Sequence, residues 1–70
     1  MDVVGQIMAF EEGELDAQQT LELFVELMNS GTINHLQGIY GRTAMSFLMR
    51  GFITQDSLGY KINQDKLPKG

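Results

Sequence analysis

The sequence predicts a mainly α-helical protein, a compact bundle of three main helices and one short helical turn. Apolar residues recur at helical spacing in three stretches, a glycine follows each stretch, and a capping pattern precedes the second. The chain has 70 residues and no cysteine, so it forms one domain without disulfides. So small a core is marginal alone, which favours very compact helix packing or a homo-oligomer such as a dimer.

The first helix is predicted to begin after Asp2 as N-cap and to end at Gly13. Its apolar face comprises Val3, Val4, Ile7, Met8 and Phe10. Four carboxylates surround its end: Glu11, Glu12, Glu14 and Asp16. They lack the ligand spacing of a calcium loop, so we interpret them as a solvated turn and as candidate contacts for a basic partner.

The second helix is predicted from Ala17 to about Asn29, because Asp16 and Gln19 have the spacing of a capping box. Apolar side chains cover most of its circumference, which is typical of a core helix, with part of the surface available to a dimer. Gly31 ends it, and Thr32 is expected to cap a short turn over 33–37. His35 in that turn has no catalytic or metal-binding companion in the sequence, which favours a surface role.

The third helix is predicted over Tyr40–Arg50, after a tight turn allowed by Gly38 and Gly41. Its apolar residues are Ala44, Met45, Phe47, Leu48 and Met49, and its polar stripe is Arg42, Ser46 and Arg50. Gly51 suits the left-handed position after the helix, where Phe52 can fold back onto Phe47.

The C-terminal part contains two short β-prone runs, 52–54 and 60–62, around turn residues 56–59. They allow a small hairpin, and the order of elements is then that of a winged helix. An unpaired extension remains the alternative. We expect one domain over residues 1–62 and a flexible polar tail over 63–70.

Charge is divided unevenly along the chain, whose net charge is −4. Residues 1–35 carry seven carboxylates and no Lys or Arg, whereas residues 36–70 carry five cations and two carboxylates. An acidic protein is drawn to basic protein surfaces and repelled by nucleic acid. No apolar run has the length of a membrane span and the N-terminus is acidic, so we expect a soluble, intracellular protein.

Two basic features have alternative interpretations. Tyr40, Arg42, Arg50 and Lys61 can contact a protein partner or, in a winged helix, DNA; alternatively, the arginines pair with the N-terminal carboxylates. Gly38, Gly41, Arg42 and Thr43 can hold an anion at a helix start, although the phosphate-loop Gly-Lys-Ser/Thr is absent. No nucleophile with a base and no metal-ligand set is visible, so we expect neither an enzyme nor a cofactor.

The phrase Leu36-Gln37-Gly38-Ile39-Tyr40-Gly41-Arg42-Thr43-Ala44, with Gly13-Glu14-Leu15-Asp16 before it, resembles a family of small acidic tailed-bacteriophage proteins of unknown function. The resemblance covers roughly residues 3–53 and leaves 54–70 as this protein's own addition. Asn34 and His35 stand where that family often has an aromatic residue. It implies a phage origin and the cytoplasm of a bacterial host, but no activity.

Three hypotheses follow. The first is a phage accessory protein that binds and inhibits a host protein of defence, transcription or nucleic-acid processing, by class-level analogy. The second is a winged-helix-like DNA-binding regulator. The third is an oligomer that binds a small anion or nucleotide.

Overall fold

The computed structural model describes residues 3–67 and contains three helices, two 3-10 turns and a hairpin. In chain order the elements are α1 (Val3–Glu11), α2 (Ala17–Ser30), a 3-10 turn (Thr32–His35), α3 (Gly38–Met49), β1 (Ile53–Asp56), β2 (Gly59–Ile62) and a second 3-10 turn (Gln64–Lys66). The predicted fold class and the hairpin are confirmed. Asp2, the expected cap of the first helix, and residues 68–70 lie outside the described part of the chain.

Helix α2 forms the centre of the core, as its apolar composition predicts. The buried residues are Leu21, Leu23, Phe24 and Leu27 of α2, Tyr40 and Ala44 of α3, and Ile53 of β1. The Phe24 ring lies 5.3 Å from Phe10 and 5.2 Å from Phe47, both edge-on, and 6.0 Å from Tyr40. Phe24 therefore joins α1, α2 and α3 through one aromatic cluster.

The helix ends follow the capping chemistry predicted for them. The Gln19 amide donates to Asp16 Oδ1 at 2.7 Å, and the Asp16 amide donates to Gln19 Oε1 at 3.0 Å, which completes the capping box. After α3, Gly51 has φ +79°, and the Phe52 amide donates to the Phe47 carbonyl at 2.9 Å. Since the rings of Phe47 and Phe52 also meet, α3 ends in the predicted Schellman motif.

The start of α3 differs from the prediction. Gln37 is the N-cap, so the helix begins two residues earlier, at Gly38. Neither Gly38 nor Gly41 has a positive φ, and both are ordinary helical residues. The tight turn expected at these glycines is therefore wrong, because glycine permits unusual backbone angles without requiring them. Thr32 likewise begins the preceding 3-10 turn, with Gly31 as its cap.

The hairpin is attached to α2 by the side chain of Asn29. Its Oδ1 accepts from the Tyr60 amide at 2.8 Å, and its Nδ2 donates to the Tyr60 carbonyl at 3.0 Å. Strand β1 pairs with one edge of β2, with Ile53 opposite Ile62. On the other edge of β2, the Asn29 side chain satisfies the backbone groups of Tyr60 that β1 leaves free. Gly59 (φ +122°) allows this approach, since a Cβ there would lie 2.6 Å from Asn29 Oδ1.

Residues 63–67, which the sequence assigned to a flexible tail, make specific contacts in the structure. The Asn63 amide donates to the Phe52 carbonyl at 2.8 Å, and Asn63 Nδ2 donates to the Gly51 carbonyl at 2.9 Å. Leu67 packs against the core. Folded contacts therefore extend at least to Leu67, because one asparagine connects the end of β2 to the end of α3.

Candidate functional site

The four carboxylates predicted to form an acidic contact surface have different roles in the structure. Glu11 accepts a hydrogen bond from the Tyr40 hydroxyl at 2.7 Å, and Asp16 caps α2. The Glu12 and Glu14 side chains are exposed and make no hydrogen bond or ion pair with any described residue. Two of the four are thus occupied within the fold, and two remain free to meet a partner.

Tyr40 was predicted to contact a partner, but it is a core residue with 4% of its surface exposed. Burial raises the pKa of Tyr40 to about 12, and the hydrogen bond to Glu11 and that carboxylate's charge add to the shift. Its ring lies 5.8 Å from Phe10. The helical period accounts for the correction, because Tyr40 shares the inward side of α3 with Ala44 and Phe47.

The opposite side of α3 carries apolar side chains in solvent. We call it the α3 face and define it by Ile39, Gly41, Arg42, Met45, Met49 and Arg50. Ile39 and Met45 are each 55% exposed, and Met49 is 81% exposed. The sequence pattern instead predicts both methionines on the apolar side of the helix with Phe47 and Leu48. The sequence does contain a signal for the exposure of these methionines. Met45 and Met49 follow Arg42 and Ser46 of the polar stripe by three residues each, so they lie beside that stripe on the helix.

The two arginines of the α3 face have no partner within residues 3–67. The pairing with N-terminal carboxylates, considered as an alternative, is not formed there, since the one ion pair joins Lys61 Nζ to Asp56 Oδ2 at 3.1 Å. Lys61 is therefore engaged within the hairpin, whereas Arg42 and Arg50 are not. At eight residues' separation they lie about 12 Å apart along the helix axis.

Two open hollows meet at Met45. One, of about 500 Å³, is lined by Arg42, Met45, Ser46, Met49 and Arg50. The second, of about 250 Å³, has a lining that includes Met28, Ile33, Gly41, Met45, Leu48 and Tyr60. We call the second the Gly41 hollow. Together they offer apolar surface beside two guanidinium groups, a combination suited to binding.

A larger groove of about 520 Å³ lies elsewhere, between the start of α2 and the end of α3. Its walls include Leu21, Phe47, Phe52 and Leu67, with Asp16 and Lys66 at its edge. These two edge charges are opposite in sign, and Asp16 is already the helix cap. Lys66 makes no ion pair among residues 3–67, but it is a single cation in a lining that also holds a carboxylate, whereas the lining at Met45 and Met49 holds two arginines and no carboxylate.

The predicted anion-binding turn is not assembled as a loop. Gly38, Gly41, Arg42 and Thr43 all lie within α3, and none of them has a positive φ. His35 is exposed at the end of the first 3-10 turn. In the described part of the chain, no three carboxylate or imidazole groups come together as a metal site, and no helix is long and apolar enough to cross a membrane.

A protein-family model described as Domain of unknown function (DUF7417) matches residues 1–67. The chain belongs to this family. The match includes the hairpin and the second 3-10 turn, so residues 54–67 are part of the family domain. The resemblance had suggested that they are an addition specific to this chain, and that expectation is wrong. No curated protein and no solved structure matches.

Proposed function

We propose that this DUF7417 protein is a phage accessory protein that acts by binding a host protein, with the α3 face as its contact surface. The observation that supports this proposal is the exposure of Ile39, Met45 and Met49 beside two arginines that make no ion pair within residues 3–67. Clustered apolar side chains in water with a charged border are typical of protein interaction sites. The phage origin and the bacterial cytoplasm follow from the resemblance of the Leu36–Ala44 segment to phage proteins.

The proposed consequence of binding is inhibition or modulation of the host protein, whose class is defence, transcription or nucleic-acid processing. A chain of 70 residues can inhibit a larger protein by covering part of that protein's surface. The proposed function therefore needs only shape, apolar contact and charge from the α3 face.

DNA binding by a winged-helix arrangement is the second candidate, favoured by one observation. The third helix precedes a hairpin, and its Arg42 and Arg50 make no ion pair in the described part of the chain. Two features of the hairpin count against DNA binding. Lys61 is paired with Asp56, and the residue at the hairpin tip, Leu58, is apolar and 95% exposed. DNA binders gain affinity by neutralising many phosphates, which two free arginines in a chain of net charge −4 do poorly.

Affinity capture from a bacterial host lysate tests the proposal. The wild-type protein is compared with a Met45→Ser plus Met49→Ser variant, which keeps both arginines, and with a Glu12→Gln plus Glu14→Gln control. We expect one specific host protein to be retained by the wild type and the control and lost from the methionine variant. Loss from the carboxylate variant alone would move the contact surface to the acidic turn and refute the assignment to α3.

A mobility-shift assay at low salt tests the second candidate. DNA binding that disappears in an Arg42→Ala plus Arg50→Ala variant would support the winged-helix function over protein binding. We expect no shift with the wild type, because a protein of net charge −4 is repelled by the phosphate backbone.

A further inference from the structure

We infer that the α3 face receives an acidic amphipathic helix of the partner, which places one apolar side chain in the Gly41 hollow and carboxylates against Arg42 and Arg50. This inference rests on the proposed function and specifies the chemistry of the partner at that site. Three features of the described residues support it: the glycine, the spacing of the arginines and the methionine lining.

Gly41 has no evident role in the folded chain itself. It lies inside α3 with a negative φ, and among residues 3–67 no atom outside its own stretch of helix backbone lies within 4 Å of the position that a Cβ would occupy. A glycine inside a helix costs about 1 kcal/mol relative to alanine. The missing side chain leaves open space in the Gly41 hollow, where an incoming side chain can approach the backbone of α3.

The arginines determine the charge of the partner. Arg42 and Arg50 have no carboxylate partner among residues 3–67, and α3 itself contains no Asp or Glu. Two acidic residues seven or eight positions apart on one helix are separated by about 10–12 Å along its axis, which matches the separation of the arginines. A carboxylate forms a bidentate pair with each guanidinium, so an acidic helix is favoured over a basic one.

The methionines favour a helix with an adaptable apolar stripe. Met28 and Met45 line the Gly41 hollow, and Met45 and Met49 line the neighbouring hollow. Methionine side chains are flexible and polarisable, and they line grooves that accept amphipathic helices. The apolar side chains of the partner helix thus meet a lining that can adjust to them.

A second copy of this chain fits the α3 face less well. Antiparallel pairing of two α3 faces about Ser46 sets Arg42 of each copy near Arg50 of the other, which brings like charges together. A contact between α3 of one copy and exposed carboxylates of the next, such as Glu22 and Glu26 of α2, is head-to-tail and forms a ring or an open chain. The partner is therefore assigned to a different protein.

Selection from a displayed library of randomised helical peptides tests the inference. The wild-type protein is the bait, and the Gly41→Ala variant is used for counter-selection. We expect enriched peptides to carry two acidic residues seven or eight positions apart with an apolar residue between them. Enrichment of basic or uncharged peptides, or no enrichment at all, would overturn the inference.

Binding of an enriched peptide to matched variants completes the test. Gly41→Ala should raise the Tm by about 4–8 °C and still weaken binding about tenfold. Gln18→Ala is the control, since Gln18 is an exposed residue of α2 outside both hollows; it should leave affinity unchanged. Arg42→Gln plus Arg50→Gln should weaken binding and reduce its salt dependence. Unchanged affinity in Gly41→Ala would overturn the inference.

The two proposals fail in different ways. A host protein that is captured through Met45 and Met49 but binds Gly41→Ala equally well refutes the acidic-helix inference and leaves the proposed function in place. Loss of all specific capture refutes the proposed function. A dimeric mass in solution that becomes monomeric in the Arg42→Gln plus Arg50→Gln variant would assign the α3 face to a second copy and overturn the inference.

Discussion

The two sides of α3 differ in whether their side chains have partners. On the inward side, Tyr40 and Ala44 are buried, and the Tyr40 hydroxyl donates to Glu11. On the outward side, Met45 and Met49 lie in solvent, and Arg42 and Arg50 have no ion pair among the described residues. The fold is therefore stabilised by one side of this helix, while the other side provides contacts that the chain itself does not use.

This comparison separates stability from binding within twelve residues. Substitutions on the inward side should change the free energy of unfolding, and substitutions of the outward methionines and arginines should change only affinity. Gly41→Ala is the exception on the outward side, because it also changes helix propensity. Exposure alone does not make the distinction, since Asn29 is exposed and yet holds the hairpin on α2. The existence of a partner group within the chain is the deciding property.

The largest expected effect is that of Phe24→Ala, which removes the ring against which Tyr40 and Phe47 pack. We expect a loss of about 3–5 kcal/mol in the free energy of unfolding, because the ring is fully buried. Domains of this size have only about 5 kcal/mol or slightly more in total, so the variant should be largely unfolded. Urea denaturation measures it. Met49→Ala is the outward control; a similar loss there would refute the comparison.

A smaller loss is expected for Asn29→Ala, which leaves the Tyr60 amide and carbonyl without their side-chain partner. Two hydrogen bonds at an exposed edge contribute about 1–2 kcal/mol, since water replaces part of each. Glu26→Gln on the same helix is the matched control and should be neutral. Amide hydrogen exchange at Tyr60 should accelerate in the first variant alone, and protection equal to the wild type would show that the hairpin does not depend on Asn29.

Tyr40→Phe should cost about 1 kcal/mol at neutral pH, the contribution of one hydrogen bond. In a Tyr60→Phe background, tyrosinate absorbance should show Tyr40 titrating near 12. Between pH 10 and about 12 only the folded state retains the phenol proton, so stability should fall as the pH rises through that window.

Glu11→Gln should lower the pKa of Tyr40 only part of the way towards 10, since burial is the larger cause of the shift. A complete return to 10 would show that the carboxylate, and not burial, dominates.

The smallest expected effect is that of Arg42→Gln plus Arg50→Gln on stability. Neither side chain has a partner within residues 3–67, so we expect a change within about 0.5 kcal/mol. Thermal denaturation of the isolated protein measures it. A loss of more than 1 kcal/mol would show that the arginines support the fold, which would remove the distinction between the two sides of α3.

Local chemistry accounts for the predictions that succeeded. The Asp16–Gln19 capping box, the Gly31 and Gly51 helix ends and the 56–59 turn each depend on residues within a few positions of one another. The central position of α2 was also predictable, since its sequence leaves only a narrow polar stripe. The assignment of Arg42 and Arg50 to partner or nucleic-acid binding stays a prediction, and their lack of an ion pair among residues 3–67 was not visible in the sequence.

The errors concern residues whose roles depend on distant segments. Asn63 looked like the start of a tail because its carbonyl partners, Gly51 and Phe52, are more than ten residues away. Tyr40 looked available to a partner because its hydroxyl acceptor is Glu11, 29 residues earlier. Gly38 and Gly41 looked like a turn because glycine is common in turns, whereas here the helix simply includes them.

The sequence by itself determined the start of α2, the ends of α2 and α3 and the hairpin turn, since caps, glycines and apolar spacing act over a few residues. Only the tertiary structure decided which side of α3 is buried and which of its charges are left unpaired. The physical reason is that burial and ion pairing depend on contacts between segments far apart in the chain. The α3 face, the surface proposed to bind a partner, consists of residues that the rest of the described chain neither buries nor pairs.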